Sequence, residues 1–365
     1  MFEKQRQEAG DNSQQIQAET VNYYSGIDEK RAREIIDEKV PDIIQNYSRE
    51  AQELASERIE HFTNDLIPKL VRENLLEGIK NPSIQMLLVE AQKTATSTER
   101  VADYELLSEL ILHRINKDDD RNTRTGINRA VQIVDEISDE ALLGLTVAHC
   151  ASNFIPVSGK ITEGLTVLSD LFERVIYDKL PTGNLWLEQL DILDALRTSQ
   201  IGSLKNSREL YSTTFSGYIE VGILKDSEIY QNAIKIINEL NIPRDILTEH
   251  ELRQDYVRLK IFNIDNLDDL LINHFDHNGQ FLYQTKYTDE QKQALRDIYY
   301  FYEDDSNLKE ENIDRFLELW DSYESLKALR NWWDSIPSAF NITSVGRVLA
   351  HANAQRCDST LPALN

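Results

Sequence analysis

The chain has 365 residues, 41% of them hydrophobic, and its 39 Lys and Arg face 63 Asp and Glu for a formal charge of −24. That is enough apolar material for a real core or for two domains. The dispersed negative charge argues against phosphate-backbone binding, which needs cationic side chains to displace counterions, so no direct nucleic-acid contact is expected. With two cysteines, Cys150 and Cys357, no apolar leader in MFEKQRQEAGDNS and no run near the roughly 18 apolar residues of a membrane span, the expectation is a cytoplasmic protein that does not meet a membrane.

The segment from Asn12 to Gly26, NSQQIQAETVNYYSG, is amide-rich, lacks proline and has Glu19 as its one charged residue. It is written in strand language ahead of a chain written in helix language. A lone strand leaves its backbone donors and acceptors unpaired, so residues 1–26 are expected to form an extended oligomerisation segment, with Gln15, Ile16, Gln17, Val21, Tyr23 and Tyr24 as its interaction residues. Residues 27–80 read as a long helix or helical hairpin interrupted at Pro41 and Pro68. Within it Ile44, Tyr47, Ala51 and Leu54, then Ala55, Ile59, Phe62 and Leu66, step by three and four as in a helix that pairs with another helix of its own chain or of a second copy.

Residues 81–155 read as a helical bundle domain. It opens at Asn81-Pro82-Ser83 and carries apolar faces at Ile84, Leu87, Leu88 and Ala91, at Tyr104, Leu107, Ile111 and Ile115, and at Ile127, Ala130, Val131 and Val134. KDDDRNTRTG, residues 117–126, reads as a loop ending at Gly126, and Ala141 to Ala151 is apolar nearly all round, as a buried central helix would be. Residues 156–365 read as a second helical domain. Ile229, Ala233, Ile236, Ile237 and Leu240 form a face that stops at Pro243, and Thr288 to Gln291 reads as a capping box. Asn278-Gly279 inside FDHNGQFLY predicts a small β-hairpin near 275–283. The fold class expected is mainly α: a multi-helix bundle in two layers or domains, with a short N-terminal strand and that hairpin.

No catalytic signature survives a check of its spacing. Val157-Ser158-Gly159-Lys160-Ile161 resembles a phosphate loop, but Phe154 stands where the first glycine is needed and Ile161 where Ser or Thr is needed, so an interhelical turn is expected. His149 beside Cys150 points about 100° away from it on a helix, which leaves a buried thiol as the simpler reading. Asp118, Asp119 and Asp120 read as solvated loop carboxylates. His274, Asp276 and His277, with His250 joining in space, are the candidate metal or acid–base cluster and would make the chain a metal-dependent hydrolase or nuclease, although their place at a hairpin shoulder favours solvated side chains. Trp332 and Trp333, near Pro337 and Phe340, are expected to pin the last helices to the core.

The opening AGDNSQQIQAETVNYYSGI and the closing NITSVGRVLAHANAQR together resemble the two ends of an uncharacterised family of acidic, mostly helical bacterial proteins. The motifs that carry the likeness are a GDNS-x-x-IQ start and an LTSVG-x-x-LA-x-AN-like end, here Ile342 to Asn353 with Ile in place of the leading Leu. The resemblance implies a chain matched over nearly its whole length, with no activity or catalytic residue to transfer. The GDNS opening is similar to that of bacterial proteins with suspected roles in phage defence. The function expected is a self-associating interaction protein or scaffold without cofactor. Two alternatives are the hydrolase centred on His250, His274, Asp276 and His277, and an acidic mimic that captures a basic partner.

Overall fold

The computed structural model describes residues 49–116, 121–199, 202–276 and 280–364. The interaction residues expected between Gln15 and Tyr24 lie outside them, as do Ile44, Tyr47, Asp118 to Asp120, His277, Asn278 and Gly279. The described chain is mainly helical with three small antiparallel sheets.

Helix α1 (Arg49–Arg72) buries Ala55, Ile59, Phe62, Leu66 and Leu70, a spacing of four, three, four and four that keeps one stripe inward. That stripe packs on α2 (Pro82–Ser97) and α3 (Val101–Asn116) of the same chain. The part of the Ile44-to-Leu66 spacing from Ala55 onwards is therefore spent inside the monomer. Pro68 does not interrupt the helix, which continues one further turn to Arg72. Helix α2 starts where Asn81 accepts a hydrogen bond from Ser83 N, with Pro82 supplying a preset φ at the first position.

Helix α4 (Arg121–Ile133) begins five residues before the expected loop end at Gly126. Gly126 is a packing position: a Cβ there would lie 3.0 Å from the Ser344 carbonyl oxygen. Helix α5 (Asp139–Asn153) is the expected central helix, buried continuously from Ala141 to Cys150 and capped by Ser138. Helices α6 (Ile161–Val175) and α7 (Leu185–Ile192) follow, then β1 (Leu196–Thr198), which pairs with β7 (Phe340–Ile342), and then α8 (Ser207–Thr214) and α9 (Ser216–Ile219). The last three helices are α12 (Ser306–Asp321), α13 (Glu324–Ser335) and α14 (Ser344–Cys357). Thr343 caps α14, which packs among α3, α4 and α5, so the C-terminal helix completes the bundle begun by the first ones. Trp332 and Trp333 are buried, and their indole N–H groups donate to Pro181 O and Lys205 O at 2.8 and 3.0 Å.

One apolar core joins residues from Phe62 to Ile219 with Leu252, Phe262 and residues from Ile313 to Leu364. A second, smaller core lies between them in sequence: Ile223, Ala233, Ile237, Val257, Leu259, Leu295 and Ile298 are among its members. Its frame is a three-stranded sheet of β2 (Ile223–Leu224), β4 (Tyr256–Leu259) and β3 (Leu247–Glu249), with β4 in the middle, flanked by α10 (Glu228–Glu239) and α11 (Asp289–Tyr299). Thr288 and Gln291 form the expected capping box of α11. The hairpin is β5 (Leu271–Phe275) against β6 (Phe281–Lys286), with Phe275 opposite Phe281 and an irregularity between His274 and Phe275.

Candidate functional site

Arg258 ties the smaller unit to the bundle. It sits in β4 with its side chain fully buried and donates to Gly159 O at 2.8 Å, Leu259 O at 3.0 Å, Ile261 O at 3.2 Å and Gly217 O at 3.3 Å. Its guanidinium lies 5.2 Å from the centre of the Tyr218 ring and 3.2 Å from Glu251 Oε2. Glu251 in turn accepts from Ile161 N and Thr162 N at 2.6 and 3.0 Å, closing the exposed N–H groups at the start of α6. The Val157-to-Thr162 stretch that resembles a phosphate loop is thus an interhelical turn whose helix start already holds a carboxylate. Gly159 is required there because a Cβ would lie 2.0 Å from Lys260 O.

A cleft of about 700 Å³ opens between this turn and the hairpin. Val157, Ser158 and Gly159 form one wall, and Leu271, Ile272 and Asn273 of β5 form the other. The consecutive run from Asp269 to Asn273 and Gln284 of β6 all line the cleft, so both strands of the hairpin border it. Among the described residues, β5 and β6 make a two-stranded sheet with no third strand on either side. The outer strand β6 is exposed along its whole length, and Phe281, Leu282 and Tyr283 are 52, 55 and 55% exposed.

The candidate cluster of His250, His274, Asp276 and His277 divides. His250 is buried, with Nε2 2.9 Å from Glu220 O and Nδ1 accepting from Leu252 N at 3.2 Å, so the backbone occupies both ring nitrogens. Burial lowers its pKa from 6.5 to about 4. His274 lies on the hairpin, stacked on Tyr283 with ring centres 4.5 Å apart and with Nε2 2.8 Å from Thr285 Oγ1. Asp276 Oδ1 accepts from Gln280 N at 2.7 Å across the hairpin end. Among the described residues no group of three His, Cys, Asp or Glu is disposed to hold a metal ion.

A different set of histidines meets where sequence reasoning saw none. His113, His149 and His351 are buried side by side, with His351 central and its ring centre 5.5 Å from each of the others. Their hydrogen bonds assign the protons. Pro362 O can only accept, so His351 Nε2, 3.0 Å away, carries a hydrogen and Nδ1 does not. Asn153 Nδ2 donates to His149 Nδ1 at 3.2 Å, so His149 Nε2 carries the hydrogen that reaches His351 Nδ1 at 3.3 Å. His113 pairs through Nε2 with Gln355, whose amide nitrogen donates to Leu361 O and Pro362 O. His149 and His351 form this chain as neutral rings, and burial lowers the pKa of both to about 4. Cys150, next to His149, is fully buried, and burial pushes its thiol pKa far up, as expected of an inert core thiol.

A family model described only as ":-like" matches residues 26–361. The chain belongs to that family. No curated protein and no solved structure matches it. The match spans most of the chain but begins after the GDNS opening, and its description states no activity. Among the described residues no helix is long and apolar enough to cross a membrane.

Proposed function

We propose that the chain is an interaction protein that assembles with copies of itself through Gln15, Ile16, Gln17, Val21, Tyr23 and Tyr24. The observation that carries this reading is the β5–β6 hairpin, which has no third strand among the described residues and exposes Phe281 and Tyr283 on one face and Leu282 on the other. Open edges of this kind accept strands from other chains. The occupant is a second copy, because the same sequence supplies, in Gln14 to Tyr24, a nearly uncharged strand-forming run in need of a partner. The GDNS opening supports a setting in bacterial defence or stress response.

The test is the mass of the full chain by light scattering beside a variant carrying Ile16→Asp, Val21→Asp and Tyr23→Asp. The reading expects an oligomer that falls to monomer in the variant while the helical circular-dichroism signal stays. A variant with unchanged mass refutes it.

A further inference from the structure

We infer that the cleft between the Val157-to-Gly159 turn and the hairpin is the receptor for the Gln14-to-Tyr24 segment of a second copy, which lies along the edge of β5 as an added strand. This inference rests on the self-association reading and adds where the segment docks.

Three features of the cleft fit an extended chain. Strand β5 borders the cleft and, among the described residues, pairs with β6 alone, and an edge strand carries backbone N–H and C=O groups that an antiparallel or parallel neighbour satisfies. Val157, also in the lining and 91% exposed, supplies an apolar side chain to pack on one face of an added strand. The volume of about 700 Å³ is within the range of built binding sites and suits a few extended residues, about the five that β5 pairs.

The net-acidic lining disfavours acidic occupants. Glu163, Asp245 and Asp269 line the cleft against Lys260, whose ammonium is already 3.5 Å from Asp245 Oδ2. An acidic segment of this acidic chain would be repelled, whereas Asn12 to Ser25 brings Glu19 as its one charge. The polar pair on the hairpin, Gln284 Nε2 donating to Asn273 Oδ1 at 2.8 Å, lies in the cleft lining and matches the amide-rich composition of the segment.

The experiment places the photo-crosslinker p-benzoylphenylalanine at position 23 of the otherwise intact chain, with assembly followed by light scattering. Mixed isotope-labelled and unlabelled chains report whether a crosslink joins two copies. The inference expects crosslinks between copies to residues 157–159 or 270–273. In a second chain, carrying Leu271→Lys and Asn273→Lys to disfavour strand addition, their yield should fall about tenfold while helical content is retained. If the chains still assemble but the crosslinks fall elsewhere, including on the same segment of the other copy, or do not form, this docking site is wrong and the self-association reading stands. If the intact chain is monomeric, or all crosslinks are internal, that reading fails and this inference fails with it.

Discussion

Acid should unfold this protein through its buried histidines. His149, His250 and His351 each have a pKa lowered from 6.5 to about 4, and each is held by hydrogen bonds made with neutral rings. The folded pKa lies below the unfolded one, so as pH falls the unfolded chain takes up protons first. Stability is therefore full above about pH 6.5 and is lost as pH drops towards 4. At pH 4.5 each histidine costs roughly 2 to 3 kcal/mol, and the three together roughly 7 kcal/mol, comparable to the whole stability of an ordinary domain. Around pH 5 the slope of unfolding free energy should approach about 4 kcal/mol per pH unit from these groups, since each proton contributes about 1.4. Urea unfolding followed by circular dichroism between pH 7.5 and 4.5 measures it. A variant with His149→Gln and His351→Gln should lose about two protons' worth of that slope whatever its absolute stability. An unchanged slope would refute the reasoning.

Replacing Arg258 by Met should cost about 3 to 5 kcal/mol, because Gly159 O, Gly217 O and Ile261 O lose their donor and Glu251 its buried cation; chemical denaturation reads the loss. Gly346→Ala should destabilise by about 3 kcal/mol or lower expression sharply, since the new Cβ would meet Ala195 O at 1.9 Å, and a shift in melting temperature reports it. Trp332→Phe keeps most of the packing but leaves Pro181 O without its indole donor, so a smaller loss of about 1 to 2 kcal/mol is expected in the same assay. Cys150 should resist maleimide until the chain is unfolded, with mass spectrometry counting the adducts.

The helical architecture is readable wherever an apolar stripe repeats, as in α1 from Ala55 to Leu70, in α5 and in α10, and the box at Thr288 to Gln291 marks its helix start. The start of α4 escapes because its first turns, Arg121 to Thr125, are polar with one inward residue, Thr123, and Gly126 looks like a stop signal although it is a contact with Ser344. The strands β2, β3 and β4 span two to four residues, too short to display alternation, and all four residues of β4 are buried. Nothing in the sequence around Arg258 sets it apart, yet it is the buried tie between the two cores. The histidine chain has no local signal, because His149 and His351 are 202 positions apart and His113 and Gln355 are 242 apart. Conversely, His274 and His250 look related by proximity in sequence and composition, but a strand edge and a buried turn give them different partners.

The measurement that bears most directly on the account is the light-scattering mass of the intact chain across a concentration series, beside the variant with aspartates at positions 16, 21 and 23. The account predicts a mass that is a multiple of 42.2 kDa for the intact chain and a single 42.2 kDa species for the variant. An intact chain that stays at 42.2 kDa, or a variant that assembles equally well, would contradict it.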